Sequence, residues 1–430
     1  MSSTAELPPF ASEAPLPPPC ANPAHEHGPS PLPGTQGRNA PHADSLVYID
    51  VLRVLAALAV VVIHVSDRVV TQLDPCGPVD WWIGLFAESS TRWAVPVFVM
   101  ISGVLMLTPS RNEPLGVFLR RRGLRILPPL LFWSAIYLGA HALIINHLHL
   151  QGMPAHFALD DALELLAYGA PADHLWYLCM LPGLYLLVLP WRDWVRRVSP
   201  AQCLAAAAAI LGVGSVYRCT LAYFTDGREI AWFSGILLSG YLLLGYWLSR
   251  SITPRAACAT GLDAQGRSAD QPPLSTRVLG TRLSLARGKR PIAASAYGWL
   301  ALFGAGATAT VLGTWFMLSD SGNTEARFVL FNPLSPSVIA MALAVFVLAL
   351  QAPWTATSRF AALCHRWAPA TFGVYLIHPL VMSVCRRVLG LSGSTGGALC
   401  GILLTSLVVC VISYFTVSII LRTPYLRRVC

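Results

Sequence analysis

The chain has 430 residues, 55% of them hydrophobic and 12% charged, with a formal net charge of +9. So apolar a composition excludes an ordinary soluble domain, whose helices carry one polar face, and the long unbroken apolar runs exclude the short alternating strands of a β-barrel. The basic balance raises nucleic acid as a partner until the cations are located.

Ten apolar stretches approach the ~20 residues a bilayer core asks of a helix: 47–66, 92–107, 124–145, 174–190, 201–217, 230–249, 295–317, 335–351, 368–385 and 397–420. The expected fold is all-α, a polytopic membrane protein with about ten transmembrane helices. Place the N-terminus inside and alternate the loops. The outside loops then keep Arg68, Arg218, Arg228, Arg327, Arg386 and Arg387, while Arg53 and Arg92 lie in or beside spans. The rest of the 30 Lys and Arg fall inside. That asymmetry puts both termini in the cytoplasm, so the charge reports topology and no nucleic-acid partner is expected.

Residues 1–45 hold eleven prolines and no apolar periodicity, and read as a disordered cytoplasmic tail. No secretory signal is expected, because the first apolar run comes too late. The membrane domain is 46–425. The first span reads "DVLRVLAALAVVVIHVSD", Asp50 to Asp67. Arg53 and His64 are eleven apart, so they share a face to within ~20° and stand ~16 Å apart along the axis. Ala56, Ala57 and Val60 lie between them and would leave a groove. Arg53 snorkelling to the inner interface and His64 bonded to a carbonyl are the plainer readings of each alone. A charge at the bilayer centre costs roughly 3 kcal/mol on insertion scales, so the aligned pair points to a cavity.

The second span reads "RWAVPVFVMISGVLML", with Arg92 entering at the outer end. Ser102-Gly103 permits close packing, which is also the usual glue between membrane helices. The inside loop that follows ends in "FLRRRGLRILPP", where Arg120, Arg121, Arg122 and Arg125 crowd one mouth. They are topogenic charge, or guanidinium forks for phosphate. The outside loop 146–173 lacks Lys and Arg, and "FALDDALELLAYG" suggests a short interfacial helix. His147, His149 and His156 lie nearby without a compact ligand set, so no metal is expected.

The fourth span opens "HLWYL", placing His174 and Trp176 at the outer interface. Residues 250–294 form a basic linker, either solvated or lying on anionic headgroups. The ninth span holds "FGVYLIHPL", where His378 lies one turn from Tyr375 and precedes Pro379. Its plain reading is a bond to a carbonyl freed by the proline. Cys76 and Cys219 fall in outside loops, where they could pair.

In order, "DVLRVLAALAVVVIH", "VPVFVMISG", "FLRRRGLRILPP", "HLWYL" and "GVYLIHP" resemble the acyltransferase type 3 family of bacterial membrane O-acyltransferases, most nearly its surface-polysaccharide branch. The resemblance spans about 45–425. It matches the family's Arg and His on the first helix to Arg53 and His64, and its R-x-x-R to Arg122 and Arg125. It matches the family's two later histidines to His174 and His378. Where many relatives carry an acid before the second-helix Ser-Gly, this chain has "VPVF".

The resemblance implies acyl transfer, by default acetyl, from cytoplasmic acyl-CoA to a hydroxyl of a cell-surface polysaccharide or lipid-linked glycan, in the bacterial inner membrane. Acyl-CoA is then a co-substrate and no bound cofactor is expected. Its phosphates would meet Arg120, Arg121, Arg122 and Arg125, and its arm would follow the Arg53–Ala57–Val60 face to His64. An imidazole of ordinary pKa ~6.5 suits proton transfer from a sugar hydroxyl, and Arg53 or Arg92 would hold the oxyanion. An acyl-histidine intermediate is the open variant. His174, Trp176, Tyr375, His378 and Ser102 would support the site or the acceptor. The alternative is a glycan transporter or flippase, though no internal inverted repeat is visible between the halves.

Overall fold

Apolar sequence with scattered glycine and proline folds here into helices alone. The computed structural model describes residues 47–74, 76–108, 114–150, 157–224, 229–252, 292–320, 324–354 and 358–430. The tail 1–45, most of the linker 250–294, and His149 and His156 as side chains lie outside the described residues. In chain order the helices are α1 (Val47–Val70), α2 (Pro78–Thr91), α3 (Ala94–Met106), α4 (Leu115–Leu150), α5 (Leu159–Tyr168), α6 (Trp176–Val195) and α7 (Pro200–Phe224). They continue with α8 (Ala231–Ile252), α9 (Ile292–Asp320), α10 (Thr324–Arg327), α11 (Pro336–Gln351), α12 (Arg359–Trp367), α13 (Thr371–Leu389) and α14 (Ala398–Arg422).

Each of the ten predicted spans falls on a helix. Among the described residues, nine helical stretches are long and apolar enough to cross a membrane. The expected span 174–190 is helix α6 but is not one of the nine. Pro182, Pro190, Trp191, Arg192 and Asp193 lower its mean hydropathy. Two expected loops are helical. Residues 78–91 form α2, opened by Pro78 at its first position, where the missing N–H leaves no bond unmade. The arginine-rich stretch forms the first turns of α4, a helix of 36 residues that continues through Pro128 and Pro129. The expected interfacial helix is α5, and none of its residues is buried. Cys76 and Cys219 are both free thiols, so the pairing does not form.

Helix α1 lies at the centre, packed against α2, α3, α11, α12, α13 and α14. Its ends are tied down by short polar bonds. Arg68 holds Asp74 at 3.1 Å, and the other oxygen of Asp74 accepts the Gly393 N–H. Asp80 of α2 accepts the Ala398 N–H at 2.7 Å and so caps α14. The exposed apolar side chains, such as Leu127 and Leu131 on α4 and Leu403 and Leu407 on α14, lie on the outer helices, as lipid contact requires.

Helix α8 is the second packing centre, and its glycines explain how. Gly235, Gly240 and Gly245 recur every five residues, which turns each ~140° from the last. They therefore face three neighbours. A Cβ on Gly235 would lie 2.6 Å from the Leu184 nitrogen of α6, and one on Gly240 would lie 2.7 Å from Leu211 of α7. On Gly245 it would lie 2.3 Å from the Met100 carbonyl oxygen of α3. Close backbone approach of this kind is how helices associate where solvent supplies no hydrophobic drive.

Gly245→Val is expected to destabilise the protein by roughly 1–3 kcal/mol, because α3 and α8 must separate. The thermal midpoint in detergent reads this. A Cβ at Gly212 meets nothing within 4 Å, so Gly212→Ala should leave the midpoint in place.

Candidate functional site

A cavity of about 560 Å³ opens beside α1, within the size range of small-molecule sites. Arg53, Val60, Ile63, His64 and Asp67 of α1 line it, so the face predicted from the eleven-residue spacing is the face that meets open space. Arg92 and Ser102 line it from the α2–α3 side, Arg122 and Arg125 from α4, and His174, Trp176, Tyr177 and Tyr185 from in and around α6. Tyr375 of α13 closes the remaining wall.

The two ends differ in charge. At one end stand Arg53, Arg122 and Arg125, with Arg125 close enough to Arg53 to repel it. Asp50 lies 3.5 Å from Arg53, and its second oxygen meets His365 Nδ1 at 2.7 Å. The Arg122 guanidinium stands 5.7 Å from the Phe118 ring and 5.8 Å from Tyr185, held by two π faces. Arg192, 3% exposed, lies 5.5 Å from the Phe118 ring and donates to the Met106 carbonyl at 2.9 Å. At the opposite end stand Asp67, Asp173 and Arg92, with Asp67 close enough to feel the charges of both others. Arg92 sits where α2 breaks into α3. Glu88, wholly buried one turn earlier, pairs with it, and the Phe331 ring lies 4.2 Å from its guanidinium.

Between these ends three imidazoles converge. The His64 ring centroid is 5.0 Å from that of His378 and 6.3 Å from that of His174. His174 and His378 are 5.4 Å apart, and both are buried with Nε2 unpartnered. Their positions follow from backbone bonds. The Tyr375 hydroxyl donates to the His174 carbonyl, and the Tyr137 hydroxyl donates to the Leu376 carbonyl at 2.8 Å. His378 Nδ1 reaches the Tyr375 carbonyl at 2.8 Å and the Val374 carbonyl at 3.2 Å.

Some predicted residues stand elsewhere. Arg120 and Arg121 are not in the lining, which Arg122 and Arg125, three apart on α4, enter together. Ala57 is also absent from it: its methyl, 8% exposed, is ~60° off the centre of the lining face of α1. His378 lies behind His64 rather than on the wall. The Ser102 hydroxyl donates to the Phe98 carbonyl of its own helix at 3.0 Å.

Sequence reading missed Glu88, Tyr137, Tyr177, Arg192 and Phe331. For Glu88 the signal was present: Gly77-Pro78 marks a helix start, and Glu88 to Arg92 is an i,i+4 pair once 78–91 is helical. The others reach the site through tertiary packing alone.

A family model described as an acyltransferase domain, Acyl_transf_3, matches residues 46–421. No curated protein and no solved structure matches the chain.

Glu88→Leu is expected to destabilise the protein by about 1–3 kcal/mol, since it removes the buried carboxylate that pairs with Arg92. Urea or thermal unfolding in detergent measures it. Restoring the carboxylate with Glu88→Asp should recover only part, because the shorter side chain stops short of Arg92.

Proposed function

The chain belongs to the acyltransferase type 3 family and is a multi-pass membrane acyltransferase, and we propose that it carries a short acyl group from acyl-CoA across the bilayer to a glycan hydroxyl. The acyl group is by default acetyl. The acceptor is a cell-surface polysaccharide unit or lipid-linked sugar, and the membrane is the bacterial inner membrane with both chain termini on the cytoplasmic side. The single supporting observation is the cavity, which has three cations at one end and His64 on its wall toward the other.

The residues fit the donor by chemistry. Acyl-CoA is a polyanion with a thin uncharged arm. Arg53, Arg122 and Arg125 at the cytoplasmic end match its phosphates, and guanidiniums bind phosphate in bidentate fashion. Val60 and Ile63, with Ile101, Leu105, Met106 and Ile126, then give the arm an apolar wall along the ~16 Å between Arg53 and His64. The acceptor enters from the end with Asp67, Asp173 and Trp176, where carboxylates and an indole face suit sugar hydroxyls and ring faces.

In the transfer step His64 takes the proton of the acceptor hydroxyl as its oxygen attacks the thioester carbonyl. The carbonyl oxygen becomes an oxyanion, for which Arg92 is the nearer cation, Arg53 being ~16 Å away along α1. The carbon–sulfur bond then breaks, the proton passes from His64 to the departing CoA sulfur, and the ester stays on the acceptor. A glycan flippase would need none of this and draws no support from the family match.

His64→Ala is expected to lower transfer from labelled acetyl-CoA by ~100-fold or more while the protein still inserts and purifies normally. Wild-type turnover in that variant removes His64 from the chemistry. Replacing Arg122 and Arg125 with Ala should raise the KM for acetyl-CoA by roughly tenfold per lost phosphate bond, with kcat little changed. Val60→Trp, on the lining where Ala57 is not, should block the arm.

A further inference from the structure

The buried His378 ring lies outside the cavity and the steps above use none of its atoms, yet it stands 5.0 Å from His64. Its orientation is fixed by the chain. Pro379 has no N–H, so the Tyr375 carbonyl four residues back loses its helical donor. His378 Nδ1 fills that vacancy at 2.8 Å. A carbonyl only accepts, so the Nδ1 nitrogen must carry the ring proton, and Nε2 is left as a bare lone pair. That Nε2 is fully buried and has no partner.

We propose that His378 is a positioning residue for His64: its Nε2 accepts the N–H of the His64 ring and so turns the other His64 nitrogen, as a lone pair, toward the cavity. This rests on the reading of His64 as the base. Two imidazoles joined by one N–H···N bond of ~3 Å have centroids ~5 Å apart, which is the spacing found. The rings are tilted by 42° and not bonded in this structure, so the bond forms by rotation of the His64 ring. His174 does not fill the role, because at 6.3 Å from His64 its ring is beyond the reach of one such bond. The arrangement assigns an imidazole the work a carboxylate does behind other catalytic histidines: it selects the tautomer and holds the ring. An unpaired buried acceptor is costly to keep, and a bond to His64 relieves it. Pro379 thereby acts through His378, since it frees the carbonyl that fixes the tautomer.

The test compares His378→Leu, His378→Gln and Pro379→Ala in purified full-length protein, with kcat and the KM for acetyl-CoA measured separately and the thermal midpoint read alongside. His378→Leu should lose ~10- to 100-fold in kcat with KM unchanged. His378→Gln keeps an acceptor and should recover at least tenfold of that. Pro379→Ala restores a backbone donor to the Tyr375 carbonyl, releases His378, and should lower kcat with KM unchanged. Wild-type kcat in His378→Leu overturns the inference, and so do equal losses in the Leu and Gln variants. Should His378→Leu fail to fold, the Gln and Pro379→Ala variants decide: wild-type kcat in Pro379→Ala overturns the proposal. His64→Ala separates the two readings. Activity there sinks the base assignment, whereas a dead His64→Ala beside a fully active His378→Leu sinks only the positioning role.

Discussion

A guanidinium and an imidazole on one face of an otherwise apolar helix are the constraint from which the rest of this structure follows. Burying either against lipid costs several kcal/mol, so the neighbours of α1 must leave that face open to polar surroundings. They do so asymmetrically. Cations gather at the Arg53 end, and His64 and His174 stand with Asp67, Asp173 and Arg92 toward the other. Beside this cavity the three glycines of α8 draw α3, α6 and α7 against one axis.

The polar groups are held by bonds that apolar helices cannot make from their own ladders. Glu88 and Phe331 hold Arg92, while Phe118 and Tyr185 flank Arg122. The carbonyls of α13 receive Tyr137 and His378, and the Tyr375 hydroxyl crosses from α13 to the His174 backbone. Helix α13 thus serves as a frame: a proline creates the free carbonyl, a histidine fills it, and the nitrogen left over is the one proposed to accept from His64. In the proposed reaction the charge at each end sorts the two substrates, a polyanionic donor and a hydroxyl-bearing acceptor.

Much of this was legible because membrane sequences are constrained one residue at a time. Length and apolarity located ten helical stretches, nine of them long and apolar enough to cross a membrane among the described residues, and helical geometry placed Arg53 and His64 on one face before any packing was known. The same geometry, applied to the arginine cluster as a helix rather than a loop, would have set Arg120 apart but not Arg121, which lies only ~40° from Arg125. Helix α2 escaped because Asp80, Glu88 and its serines dilute its apolarity, and with it went Glu88. Tyr137 and Phe331 were invisible for another reason: nothing local distinguishes an aromatic that packs against the site from one that faces lipid.

The central claim is directional: the donor reaches His64 from the Arg53, Arg122 and Arg125 end, and the acceptor from the other. Proteoliposomes with the protein in one known orientation test it directly, with acetyl-CoA confined to one side and a membrane-impermeant glycan acceptor to the other. The account predicts acetylated glycan only when acetyl-CoA is on the side of Arg122 and Arg125. Transfer only when acetyl-CoA is supplied from the Arg92 side would contradict it.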